Sequence, residues 1–386
     1  TIIPKFCHGS WIITKNNNNY LDLTSGIGAL STGHNHPYIK NKVIEQLEKY
    51  VHIPQQVFGS HDVQIELCNK LSTIMPSKNI NNFFFVNSGS EAIDNAIKIS
   101  RRYTEKTNII SMLKGFHGRT IGALSITSSN INCKFKTQPM ISGNYFCNEF
   151  TEQSLNNILE FQSSPEETAA IIVEPVQGEG GIISIPNDFL KYIRKVCDEN
   201  NILFIVDEVQ SGSGRTGTWW NIEQKGVVPD LMTFGKGIAS GYPLAGIAGT
   251  SEIMNNIGFG YLGGTYGGNA ITSIASIATI DIIQKENLLE NTINMGNYIR
   301  ESLNDYEEIH QIRQYGLMIA IEFKFSNNPE KVKKVMEYLR EYNILVLLAG
   351  NKNQYIRLLP PLNVSRSEID IFVAGFQYAM DKINKL

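Results

Sequence analysis

The chain has 386 residues, 42% of them hydrophobic and 18% charged, with a formal net charge of −3. That length buries a sizeable core in one large domain or two unequal ones, and the mild acidity, with no long basic run, leaves no electrostatic footprint for nucleic acid or an anionic membrane. Cys7, Cys68, Cys133, Cys147 and Cys197 are scattered and never spaced C-x-x-C, which argues against a disulfide framework or a metal site and for a reducing compartment.

In chain order, the apolar residues 11–13 and 20–23 flank the run Asn16-Asn17-Asn18-Asn19. They read as a hairpin with the asparagines at the turn tip. Continuous apolar runs then recur at 83–86 (FFFV), 170–173 (AIIV), 202–206 (ILFIV) and 231–234 (LMTF), with helical patterns between them such as 92–101 and 188–199. Strands of this kind alternating with helices predict an α/β fold, with a mostly parallel sheet covered by helices on both faces. Ligands in such sheets bind at the carboxyl ends of the strands. After Ala270 a long helical stretch runs to about residue 283, followed by helices and short strands, including 317–325 and 344–348. The expectation is a large domain over 38–270 and a smaller α+β domain built from 1–37 and 271–386. No apolar run reaches the roughly 18 residues a membrane helix needs. The chain starts at Thr1 without a signal-like or Arg-rich leader, so the expected compartment is the cytoplasm, with the mitochondrial matrix after loss of a presequence as the alternative.

Three turns stand at strand ends. Residues 87–92 (NSGSEA) follow one strand and open a helix. A helix N-terminus with free N–H groups suits an anion such as a phosphate, although Ser88 or Ser90 as a plain cap explains the same letters. Asp207 follows an apolar strand, where a buried carboxylate needs a cation or hydrogen bonds. A protonated pyridine, a Mg²⁺ ion and a helix cap all qualify. The Mg²⁺ reading is weak, because Ser211-Gly212-Ser213-Gly214-Arg215-Thr216-Gly217 is the nearest thing to a phosphate loop and lacks its lysine. Lys236, between Gly235 and Gly237, is either a surface lysine or a nucleophile whose pKa desolvation lowers. Taken together, a lysine for an aldehyde, an aspartate for a pyridinium and a helix N-terminus for a phosphate form the set that pyridoxal 5′-phosphate (PLP) demands.

The chain resembles the class III (subgroup II) aminotransferases of PLP fold type I almost end to end. The resemblance rests on Gly33-His34-Asn35-His36-Pro37, residues 87–92, Phe116-His117-Gly118-Arg119-Thr120, residues 174–181 (EPVQGEGG), 207–217, Lys236, Gly264-Thr265-Tyr266-Gly267-Gly268-Asn269 and Ile356-Arg357-Leu358, all in the family's order. Within the class it is most similar to bacterial-type 4-aminobutyrate aminotransferases. The resemblance implies that Lys236 forms the Schiff base and that Gly89 and Ser90 hold the phosphate. Thr265 would come from the neighbouring subunit of a homodimer or dimer of dimers. It implies Phe116 and Val209 on the two ring faces, Asp207 on the ring nitrogen, Gln210 on the 3-hydroxyl, His117 near the ring and Glu174 ordering the site. The implied reaction moves an amino group from an omega-amino acid, 4-aminobutyrate foremost, to 2-oxoglutarate in a two-stage PLP/PMP cycle. Arg119 would read the distal carboxylate and Arg357 the α-carboxylate, with Glu179 pairing Arg357 when no α-carboxylate is present. Ile27 and Gln56 match the 4-aminobutyrate subgroup, and Ile27 has no hydroxyl to bind a second amino group, as ornithine would require. Acetylornithine, 5-aminovalerate, β-alanine and putrescine are the alternative donors.

Overall fold

A computed structural model describes residues 2–55 and 59–385. Its central sheet has seven strands. Across the sheet they are Ile80–Val86, Ala245–Thr250, Leu231–Phe234, Leu203–Asp207, Thr168–Val173, Asn108–Met112 and Asn144–Cys147. Only Ala245–Thr250 runs against the others, pairing antiparallel with both neighbours. Ile80–Val86 therefore points the same way as the five strands beyond it. Thr168–Val173 and Leu203–Asp207 are buried along their whole length, which is why they read as unbroken apolar runs and not as alternating ones.

Helices cover both faces. Gly89–Thr104 is fixed at its start by a capping box, with the Ser88 hydroxyl accepting the Glu91 N–H and the Glu91 carboxylate accepting the Ser88 N–H. It buries Ala92, Ile93, Ala96, Ile97 and Ile99 on one face, the i, i+3, i+4 stripe of a helix lying on a sheet. Asn187–Asn200 does the same with Phe189, Leu190, Ile193, Val196 and Cys197. Ala270–Lys285 lies under Pro37–Leu47 and Asp62–Ser72 and buries most of its circumference.

A second, antiparallel sheet has the order Ile309–Tyr315, Met318–Phe323, Tyr355–Leu358, Leu347–Ala349. The amino-terminal hairpin of Trp11–Thr14 and Asn19–Asp22 turns at the asparagine run, with Asn17 at φ 59°. Its second strand pairs in parallel with Ile344–Leu345. The apolar run 344–348 is thus two strands in two sheets, divided at Val346. Leu21 and Leu23 join Ile299, Phe323, Ile344, Phe372 and Phe376 in one core, so the chain's first residues complete a hydrophobic cluster made mostly of its last ones. Among the described residues, no helix is long and apolar enough to cross a membrane.

Candidate active site

Because six of the seven strands share one direction, their carboxyl ends lie along a single edge of the sheet, and five of them lead to side chains there. Ile80–Val86 leads to Gly89 and Ser90, and Asn108–Met112 leads to Phe116 and His117. Thr168–Val173 ends at Glu174, Leu203–Asp207 at Asp207, and Leu231–Phe234 at Gly235-Lys236. These residues, Gly235 apart, line one pocket with Val209, Gln210 and Gly118.

Asp207 is buried, and three donors hold its carboxylate. Oδ1 accepts the Val209 N–H at 3.1 Å and the Thr233 hydroxyl at 3.0 Å, and Oδ2 lies 2.8 Å from His117 Nδ1. Two oxygens offer about four lone-pair sites, so capacity for one further donor remains. Burial alone would lower the pKa of His117. The hydrogen bond to Asp207 and the charges of Asp207 and Glu174 outweigh it and raise the value. Glu174 accepts N–H groups from Phe116 at 2.8 Å and Gly178 at 3.2 Å. Burial nevertheless pushes its carboxyl up to about 7, with Asp207 adding to the rise and His117 opposing it. Burial also lowers the pKa of Lys236, against the opposing pull of Glu179, with the positive charge of Arg357 adding to the fall. A lysine so depressed is more often a free amine, the form that attacks a carbonyl.

At the phosphate-type turn the first N–H groups of Gly89–Thr104 have no partner within the helix. A Cβ at Gly89 would stand 2.8 Å from Val209 Cγ1, so glycine alone lets the helix start press onto that valine. Ser90 Oγ accepts the Arg119 N–H at 3.2 Å. Gly118 was not singled out from the sequence. It has φ 138°, and a Cβ there would fall 2.3 Å from Ser90 Oγ. Thr233 was likewise missed; its hydroxyl is the only polar side chain in the strand LMTF, a signal that a buried acceptor lies alongside.

The other expected site residues lie around this pocket. Arg357, buried in Tyr355–Leu358, makes an ion pair of 2.6 Å between Nη1 and Glu179 Oε1, while Glu179 is partly exposed. The Arg119 guanidinium is exposed, 5.9 Å from the Phe116 ring centre. Ile27 is 47% exposed on a turn of positive φ. Thr265 is exposed in the loop before Ala270–Lys285 and does not line the pocket of its own chain. Gln56 lies outside the described residues.

The pocket suits PLP on observations of its own. It offers a helix N-terminus for a dianion, a buried carboxylate with one acceptor site to spare for a pyridinium, and a lysine with a depressed pKa for an aldehyde. Gln210 Oε1 and His117 Nε2 are buried without a hydrogen-bond partner among the described residues, as polar groups facing a ligand would be.

The sequence profile described as aminotransferase class-III matches residues 2–380. The chain belongs to this family. It is thus a PLP-dependent transaminase, acting on an amino donor and an oxo-acid acceptor. Among curated relatives it is similar to the 5-aminovalerate aminotransferase DavT of Pseudomonas putida, at 36% identity over 94% of this chain and 89% of that protein. The 4-aminobutyrate aminotransferase GabT of Escherichia coli is 35% identical, over 91% and 86%. An acetylornithine aminotransferase of Archaeoglobus fulgidus is 37% identical, over 94% and 91%. Among solved structures, a transaminase from the marine bacterium Virgibacillus superposes with a TM-score of 0.94 at 30% identity, covering 100% of this chain and 94% of that one. The class-III enzyme therefore has its fold and reaction class in common with proteins of several substrate names.

Proposed function

We propose that this aminotransferase takes its amino group from 4-aminobutyrate, or a close omega-amino acid, and passes it to 2-oxoglutarate. The observation that carries the reading is the Arg357–Glu179 pair at 2.6 Å. A buried guanidinium is costly to leave without a counter-charge when no substrate carboxylate is present. Glu179 does this for a donor such as 4-aminobutyrate, which has no α-carboxylate. Its partial exposure leaves room to swing aside when glutamate or 2-oxoglutarate presents one. The planar fork of Arg357 then takes that carboxylate bidentately. Arg119, exposed beside the Phe116 ring, reads the distal carboxylate common to all these substrates. Ile27 supplies an apolar wall.

PLP supplies the electron sink for charge left on the substrate carbon. The chain's residues do the rest. Lys236 would bind the cofactor covalently and, as a free amine, would move the proton at the substrate carbon. Asp207 would hold a proton on the ring nitrogen by Coulomb attraction in a site of low polarity, and His117, hydrogen-bonded to it, fixes its orientation. Gly89 and Ser90 would anchor the phosphate through the helix start. Phe116 and Val209 would hold the ring and Gln210 its hydroxyl, while Glu174 orders the loop carrying Phe116. Thr265, exposed and outside its own chain's pocket, would complete the neighbour's site in a homodimer or a dimer of dimers.

The test is a half-reaction panel, following absorbance of the PLP-loaded enzyme with 4-aminobutyrate, 5-aminovalerate, β-alanine, putrescine, ornithine and acetylornithine. The highest kcat/KM is expected for 4-aminobutyrate, with stoichiometric glutamate made from 2-oxoglutarate. An acetylornithine-type enzyme is the second reading, favoured by the 37% identity to the Archaeoglobus protein; a preference for acetylornithine in the panel would replace the first reading with it.

A further inference from the structure

The stretch 211–217 (SGSGRTG) follows Gln210 directly and takes no part in the pocket. It runs instead along the seam between the central sheet and the segments that carry Arg357 and Ile27. The segments pack closely there. A Cβ at Gly214, where φ is 87°, would stand 2.8 Å from Leu362 Cδ1, and one at Gly316 would stand 2.7 Å from the Thr216 carbonyl carbon.

Arg215 sits in this seam, 2% exposed. No Asp or Glu pairs with it among the described residues. Burying an unpaired cation is costly, so the site must reward it elsewhere. The guanidinium spends its donors on other segments. It donates to the carbonyls of Leu317, at 3.2 Å, and Pro360, and reaches Ser25 Oγ at 3.5 Å. Its own peptide carbonyl accepts the Leu317 N–H at 3.1 Å. Ser25 passes the link on, donating to the Leu359 carbonyl at 2.6 Å.

Each partner neighbours a residue of the substrate end. Pro360 lies just beyond Tyr355–Leu358, the strand of Arg357. Leu317 precedes Met318–Phe323, in which Ala320 is the register partner of Arg357. Ser25 opens a turn in which Ser25, Gly26, Ile27 and Gly28 all have φ between 43° and 74°. A β-branched residue at positive φ is strained and persists only where its surroundings impose it. The turn also rests near the reactive lysine, since a Cβ at Gly237 would lie 3.5 Å from the Gly28 carbonyl oxygen.

We propose that Arg215 is a positioning residue for the carboxylate end of the substrate. Its forked guanidinium registers the Ile27 turn and the Arg357 strand on the segment that carries Asp207 and Gln210. This rests on the reading that Arg357 binds a substrate carboxylate. Lysine keeps the charge but is a point donor on a flexible stem, and it does not span the same three acceptors.

The test uses the full-length PLP-loaded enzyme and glutarate, a dicarboxylate with neither amine nor carbonyl to react. Titration calorimetry gives its dissociation constant, and cofactor content is read from absorbance. Arg215→Lys is expected to weaken glutarate binding about tenfold and raise the KM for 2-oxoglutarate by a similar factor, with kcat moved less than about threefold and cofactor content unchanged. Ser25→Ala, which removes one link, is expected to weaken glutarate about threefold. Unchanged glutarate affinity in a fully loaded Arg215→Lys enzyme overturns the proposal, and if that variant does not fold, unchanged affinity in Ser25→Ala does so. Arg357→Gln is the control. If it too leaves glutarate binding intact, the carboxylate reading itself is lost, and the positioning role with it. If it weakens binding while Arg215→Lys does not, only the positioning role is lost.

Discussion

A carboxylate held by Val209, Thr233 and His117 cannot wander, so replacing Asp207 by Asn keeps its shape and removes its charge. The expected result is an enzyme that still binds PLP but loses roughly 10²–10³-fold in the rate of the half-reaction, the usual scale for one preorganised electrostatic group. Stopped-flow absorbance with a saturating amine measures this, and a full rate in Asp207→Asn would remove the charge from the mechanism. Lys236→Ala has a harsher expected outcome, with no turnover and no borohydride-fixed cofactor at that position. Asp207 stands out in the sequence because a charge directly after five apolar letters is hard to explain as surface, whereas Lys236, set off from its strand by Gly235, stands out in combination with it. Their supports do not stand out. Thr233 shows as a single polar letter in an apolar strand without showing its partner, and Gly118 matters only because the Ser90 hydroxyl comes from a helix 28 positions earlier. The strained φ of Ile27 is invisible in the letters, since tertiary contacts impose it.

Elements were legible where their burial is simple. Strands covered on both faces and helices lying on one face have distinct periods. Ala270–Lys285 shows length but little period, because it is buried most of the way round. The run 344–348 shows apolarity but not its division between two sheets, which depends on which partner strand meets each half. The helix start at Gly89 is a case where an element's position carries function. Gly89→Ala would place a methyl 2.8 Å from Val209 Cγ1, pushing the helix start away from the residue proposed to hold the ring. PLP affinity is expected to fall about tenfold with helix content unchanged, as read by cofactor titration and circular dichroism. Adding Val209→Ala to that variant makes room for the methyl and, although it removes a proposed ring contact, is expected to restore part of the affinity relative to Gly89→Ala. If the double variant binds PLP no better than Gly89→Ala, the steric account of this glycine fails.

For the whole molecule, joining a parallel sheet to a sheet completed by both chain ends leaves ionisable groups in closed places. Glu208, next to the site but facing away from it, is fully buried. It accepts the Ser211 hydroxyl at 2.5 Å and the Ile222 N–H at 2.7 Å. Burial pushes its carboxyl up to about 7, those hydrogen bonds opposing the rise and the charge of Glu223 adding to it. A folded-state pKa above the unfolded one means that the native protein binds the proton more tightly. The stability gained from that proton is complete below the unfolded value, 4.5, and is lost as pH rises through about 7. Glu174 and His117, both with raised values, work in the same direction. The cofactor-free enzyme is therefore expected to lose thermal stability between about pH 5 and about pH 7.5, Glu208 alone contributing on the order of 3 kcal/mol across its shift. Glu208→Gln keeps the shape and an acceptor for Ile222 but does not titrate, so its melting temperature should change less over that range than the wild type's. Subtracting the two curves isolates this carboxyl from Glu174 and His117. Parallel curves would mean that Glu208 is ionised in the fold at neutral pH, held by its two donors against burial.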